Sequence, residues 1–166
     1  MANFFRISEA AVIGVHSCTL IAAEPKKPLS ARQVATRLGV SYDHTVRVLH
    51  RLRQVGVLKS VRGPSGGFLL GKEPGQVRAL EIVEALEGKL EERRCLFLNS
   101  RWEGPCALFG DIQGLINRQA REFFSRLTLD ELASRMRNAV CGIGFLSEEG
   151  EEDLLLKEIP TEKQVR

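Results

Sequence analysis

Residues 29–56 read LSARQVATRLGVSYDHTVRVLHRLRQVG, and the order of caps, turn and charges in this stretch decides the fold. Ser30 stands three residues before Gln33, the spacing of a capping box, with Leu29 and Val34 as its hydrophobic staple. A helix starts there, runs through Val34, Ala35 and Leu38, and stops at Gly39, whose tolerance of positive φ suits a tight turn. Ser41 offers a second cap. At 100° per residue, Val48, Leu49, Leu52 and Val55 fall on one face of the second helix, and His44, Arg47, Arg51 and Gln54 on the opposite one. Two short capped helices joined by a glycine turn make a helix-turn-helix whose second helix shows a cationic, hydrogen-bonding face.

Downstream, Gly56 closes that helix. The β-prone runs Val57 to Arg62 and Phe68 to Leu70 flank Gly63-Pro64-Ser65-Gly66-Gly67, so the segment reads as a hairpin with a glycine-rich tip, a wing. No Gly-Lys-Ser/Thr follows, which excludes a nucleotide-binding loop. An arginine at the base of such a hairpin, Arg62, suits a narrow minor groove, and Gly66 and Gly67 would let backbone approach phosphates. Upstream, Ser8 to Ala23 spaces Ala11, Val12, Val15, Cys18 and Thr19 as a helix against a core, ended by Pro25 and Pro28. Gln76 to Glu87 returns to helical spacing and ends at Gly88.

Residues 89–105 lose periodicity and contain Cys95, Trp102, Gly104 and Pro105, a loop. From Cys106 the spacing of Leu108, Ile112, Leu115, Ile116, Phe123 and Leu127 describes an amphipathic helix of about 20 residues, roughly 30 Å long. A lone helix of this kind finds a partner helix, which makes it the dimerisation element. Thr128-Leu129-Asp130-Glu131 is a further capping box and begins a short helix. The expected organisation is a winged helix-turn-helix domain over residues 1–88 and a cysteine-bearing sensor loop over 89–105. The dimerisation helix and a short C-terminal helix follow over 106–147, then an acidic, mobile tail over 148–166. The fold class is mainly α with a small β-hairpin wing.

The bulk properties agree. The 166 residues are 43% apolar and 27% charged, the composition of an ordinary globular protein. No apolar run nears the roughly 20 residues that span a bilayer, and no signal peptide opens the chain, so the cytoplasm is the expected location and no membrane the expected setting. The four cysteines are expected to stay reduced, as free thiols or metal ligands. Charge is lopsided: Lys26 to Arg62 holds nine Lys/Arg against the single acid Asp43, a net +8, while Glu148 to Arg166 is net −4. A concentrated basic segment is the footprint of a polyanion partner. Three scattered histidines and no Ser/His/Asp, metal-protease or phosphate-loop pattern argue against an enzyme.

The segment Val61 to Leu70 resembles the wing of the Rrf-two family of bacterial winged-helix regulators, whose members include iron-sulfur, nitric-oxide and cysteine-metabolism sensors. The resemblance runs from Ile7 through Leu132 and takes in Gly39-Val40-Ser41, Leu49-His50-Arg51-Leu52-Arg53, Arg94-Cys95 and Thr128 to Leu132. It implies a winged-helix homodimer whose long helices cross between subunits, with the cysteine loop near the DNA-reading domain. Cluster-binding members carry three cysteines in that loop; here Cys95 and Cys106 match, the middle one is absent, and Phe109 stands where some members have a histidine. A two-iron two-sulfur cluster needs four ligands. By the same resemblance His16 matches a ligand position on the first helix, and Glu9 is another candidate. Cys18 and Cys141 read as small apolar residues.

The expectation is therefore a dimeric repressor or dual regulator of transcription that binds double-stranded operator DNA. The helix from Ser41 to Val55 enters the major groove and the wing reaches the minor groove. The DNA side comprises Ser30, Ser41, Asp43, His44, Arg47 and Arg51 with Arg62, Gly63, Pro64, Ser65, Gly66 and Gly67. Within it, Arg47 and Arg51 supply base or phosphate contacts, Ser41 anchors a phosphate and Arg62 reads groove width. The family commonly has Tyr at the position of His44. Two models of sensing stand side by side: a two-iron two-sulfur cluster held by Cys95, Cys106 and His16, or a clusterless regulator controlled by thiol oxidation or a protein partner. A different class of function, a non-DNA module whose basic face binds an acidic partner, is separated from these by salt dependence.

Overall fold

The computed structural model describes residues 7–63, 65–90 and 110–138. Its elements are α1 (Glu9–Ala23), α2 (Ala31–Leu38), α3 (Tyr42–Gln54), β1 (Leu58–Val61), β2 (Gly67–Leu70), a 3-10 turn (Pro74–Gln76), α4 (Ala79–Glu87), α5 (Gly110–Arg126) and α6 (Leu129–Asn138). The mainly helical architecture with one antiparallel hairpin is the expected one.

Local chemistry accounts for the boundaries. Ser8 caps α1, its side chain accepting from the Ala11 N–H. At α2 the capping box is formed: Ser30 Oγ accepts from Gln33 N–H at 3.2 Å and Gln33 Oε1 accepts from Ser30 N–H at 2.9 Å. Gly39 ends α2 at φ +65°, a left-handed conformation that costs a residue with a Cβ roughly 1 kcal/mol or more. Ser41 Oγ then caps α3 by accepting from His44 N–H. In the hairpin, Leu58 pairs with Leu70 and Val61 with Gly67.

One core serves the described elements. Leu49, Leu52, Val34, Leu29, Ile21, Ile82 and Val77 are fully buried in it, joined by Leu58 and Phe68 from the hairpin. Each such side chain contributes about 1.5–3 kcal/mol by leaving water. Helix α1 packs on α3, α4 and α6. Its burial runs through Ile13, Ser17, Cys18, Leu20, Ile21 and Ala22, on more than one face, while Val12, expected to face the core, is 44% exposed. Val55, also expected on a buried face, ends α3 as its C-cap and is 55% exposed.

The short C-terminal helix α6 joins this same core, with Leu129 and Ala133 buried, rather than grouping with α5 alone. Backbone pairing explains why. Ala79 N–H donates to Leu127 O at 2.9 Å and Leu129 N–H to Val77 O at 3.1 Å, stitching the start of α4 to the turn between α5 and α6. That stitch also moves the start of α4 from the expected Gln76 to Ala79, with Gln76 left in the 3-10 turn. Thr128 and Glu131 form the expected reciprocal caps, with both bonds at 3.2 Å. No helix of the described residues is long and apolar enough to cross a membrane.

Candidate nucleic-acid interface

Helix α3 divides cleanly. Thr45, Val48, Leu49 and Leu52 are buried, and Arg47, Arg51 and Arg53 are exposed. Its first turn carries exposed Ser41 and Asp43 and half-buried His44, whose Nδ1 lies 3.6 Å from Glu9 Oε2 on α1. Arg51 behaves differently from its neighbours: its Nε donates to the Ala85 carbonyl at 2.6 Å, so part of its guanidinium is engaged by α4.

The hairpin is fastened to the helix-turn-helix through its second strand. Leu29 and Phe68 exchange two backbone bonds, 3.1 Å and 2.8 Å, immediately before the cap of α2. This brings Gly67 and Ser30 together. A Cβ on Gly67 would lie 2.5 Å from the Leu29 carbonyl oxygen and 2.8 Å from Ser30 N, and one on Gly66 would lie 2.5 Å from Val61 O. Both glycines are therefore required by close backbone approach inside the protein, a reason the glycine pattern alone did not disclose. Arg62, Gly63 and Ser65 are exposed, with Gly63 at φ +122°; Pro64 lies outside the described residues. Ser30 Oγ is engaged with Gln33.

Two residues of this surface escaped the reading of the sequence as individuals. The Arg32 guanidinium on α2 sits 5.1 Å from the centroid of the Tyr42 ring, the first residue of α3 and 46% exposed. The pair crosses the turn between the two helices and holds a cation over an aromatic face. Ten residues separate the partners, so helical periodicity gave no signal for it.

Internal partners sort the cations. Arg37 is bound by Glu24, Arg78 by the Arg126 carbonyl, Arg121 by Glu84 and Arg126 by Glu122. Arg47, Arg53, Lys59 and Arg62, on α3 and the first arm of the hairpin, make no hydrogen bond or ion pair among the described residues. This concentrates positive charge without a counter-charge among the described residues on one motif.

Of the residues expected to bind a metal, Cys95 and Cys106 lie outside the described residues, as does Cys141. His16 is half-buried, and its Nδ1 donates to the Val12 carbonyl at 2.9 Å. A carbonyl can only accept, so Nδ1 is the donor in this contact, an ordinary bond to the backbone one turn earlier on the same helix. Cys18 is fully buried, and burial pushes its thiol well above the usual range, so it is no thiolate ligand. Among the described residues no group of three or more His, Cys, Asp or Glu could hold a metal ion.

The capped helix pair and its two-stranded wing define the chain as a winged helix-turn-helix protein. It matches the model of the Rrf2 family, described as iron-dependent transcriptional regulators, over residues 7–135, and it belongs to that family. It is similar to the HTH-type transcriptional regulator IscR of Cronobacter sakazakii, with 30% identity over 107 residues, 64% of this chain and 66% of the relative. A second IscR, from Klebsiella pneumoniae, is 29% identical over the same shares. Each match thus spans just under two thirds of the relative's length. Among solved structures, CymR, the global cysteine regulator of B. subtilis, superposes with a TM-score of 0.65 at 26% identity, covering 79% of this chain and 98% of that one. The structure of T. potens IscR gives the same TM-score at 22% identity over 81% and 91%, a likeness of fold. These relatives are regulators of transcription, and the chain is a member of their family.

Proposed function

We propose that the protein is a homodimeric, sequence-reading DNA-binding regulator in which α3 enters the major groove and the hairpin flanks the neighbouring minor groove. The observation that carries this reading is the set of exposed cations Arg47, Arg53, Lys59 and Arg62 on α3 and the first arm of the hairpin, which have no partner among the described residues. Arg47 supplies a base or phosphate contact, Ser41 presents the start of α3 to a phosphate, and Arg62 enters the minor groove. Arg32, held over Tyr42, extends the phosphate contacts onto α2. In this reading the cysteine-bearing loop spans 89–105, the dimerisation helix and short C-terminal helix 106–147 and the acidic tail 148–166, with α6 also packing on the core of the helix-turn-helix.

Titration with random duplex DNA at two salt concentrations tests the reading. Binding that falls steeply with salt, by about 0.9 in log K per log salt for each phosphate neutralised, supports it. Salt-insensitive binding to an acidic protein and none to duplex contradicts it.

For sensing, the cluster model and the clusterless one both accommodate His16, whose Nδ1 is bonded to the Val12 carbonyl. Cys95, Cys106 and His16 would hold a two-iron two-sulfur cluster, with a fourth ligand such as Glu9 completing the set. The bound group would supply a centre that responds to oxidation or nitric oxide. On the protein side, the Val12 carbonyl holds the His16 ring through Nδ1. Anaerobically purified protein is expected to carry iron and sulfide and to absorb visible light, and His16→Ala to reduce both. Iron-free, colourless protein from a competent host contradicts the cluster and leaves thiol oxidation or a protein partner as the signal.

A further inference from the structure

Helix α4 ends in a turn that four other parts of the chain hold. Arg51 of α3 donates from Nε to the Ala85 carbonyl at 2.6 Å. Glu84 Oε1 accepts from Arg121 Nη1 of α5 at 3.0 Å and from the backbone N–H of Leu90 at 3.3 Å. Glu87 Oε1 accepts from the N–H of Ser8, the cap of α1, at 2.9 Å.

Ala85 carries one of the last four carbonyls of α4, which lack donors inside the helix. A guanidinium placed there satisfies an orphan acceptor and sits at the negative end of the helix dipole. The turn also carries the carboxylates of Glu84, paired with Arg121, and Glu87, so the guanidinium sits at an end of α4 already rich in acceptors. Arg47, one turn earlier on α3, is exposed and has no such partner among the described residues. The two arginines share a face in the sequence and differ in what the fold gives them to bind.

We propose that Arg51 is a positioning residue and not a phosphate ligand. It anchors α3 to the C-terminal turn of α4, and through Glu84 on that turn the pose of α3 follows α5 and the chain at Leu90. The inference rests on the reading of α3 as the DNA-reading helix.

The test titrates the full-length protein with a duplex at several salt concentrations, comparing wild type with Arg47→Ala, Arg51→Ala, Glu84→Gln and the double variant Arg51→Ala/Glu84→Gln. Arg47→Ala is expected to reduce the salt slope by about one. Arg51→Ala is expected to weaken binding about tenfold at a given salt with the slope unchanged. Removing a carboxylate should strengthen binding to a polyanion by charge alone; Glu84→Gln is instead expected to weaken it about threefold, and the double variant to bind no more weakly than Arg51→Ala within a factor of about two. A slope reduced by about one in Arg51→Ala makes Arg51 a phosphate ligand and overturns the proposal. So do independent, multiplying effects in the double variant. Should Arg51→Ala lose its helical circular dichroism, Glu84→Gln alone decides, and affinity equal to or above wild type overturns the linkage. Wild-type protein that shows no salt-dependent duplex binding removes the DNA-reading role of α3, and this inference with it.

Discussion

Helices α3 and α5 carry the same kind of sequence and meet opposite fates. Both are amphipathic, yet α3 buries Val48, Leu49 and Leu52 to 3% exposure or less inside its own chain. In α5, Ile112, Leu115 and Phe123 remain 44%, 50% and 58% exposed. Periodicity announces that a helix has an apolar side; it does not announce whose surface covers that side. For α3 the cover is α1, α2, α4 and β1. For α5 the described chain supplies only partial cover, chiefly from α4, and three large side chains at helical spacing match what a second copy would bury.

The contrast can be broken most forcefully from the inner face of α3. Leu49→Ala removes a fully buried side chain and is expected to cost about 2–5 kcal/mol, read as a drop of several degrees or more in melting temperature. A cost under about 1 kcal/mol would mean that α3 is not core-anchored. The matching change on α5, Phe123→Asp, is expected to convert a dimer to a monomer by light scattering while the monomer keeps its helical signal. A dimer of unchanged mass would place the assembly surface elsewhere.

The outer faces sharpen the comparison. Arg47→Ala is expected to cost about 1–3 kcal/mol in duplex affinity, whereas Arg126→Ala on α5, whose partner is Glu122, is expected to leave it unchanged. Equal losses would point to diffuse attraction in place of a reading helix. The smallest effect lies beneath α3, in α1. Ser17 is fully buried and its Oγ has no hydrogen-bond partner among the described residues. Ser17→Ala is therefore expected to be neutral or to stabilise by about 1 kcal/mol, measured by denaturant unfolding. A clear loss would reveal a partner for the hydroxyl.

Much of the winged helix-turn-helix was legible because its determinants are local. Ser30 and Gln33, Gly39, and Ser41 lie within a few residues of the groups they cap or turn, so spacing alone locates α2, the turn and α3. What was not legible depends on contacts between distant positions. Arg51 looks like Arg47 on a helical wheel, and only the Ala85 carbonyl, 34 residues on, separates them. Gly67 reads as part of a flexible tip until the Leu29 backbone is seen beside it. Spacing locates helix α1 but not its burial on more than one face, and α6 returns to the first core through backbone bonds that leave no pattern in side-chain hydrophobicity.

In vitro selection from a pool of random duplexes, followed by sequencing, probes the joint claim that α3 reads bases and that α5 spaces two copies. The account predicts an enriched inverted repeat whose half-sites lie about one helical turn, roughly 34 Å, apart. Enrichment of a single unpaired half-site, or none above the starting pool, would contradict it.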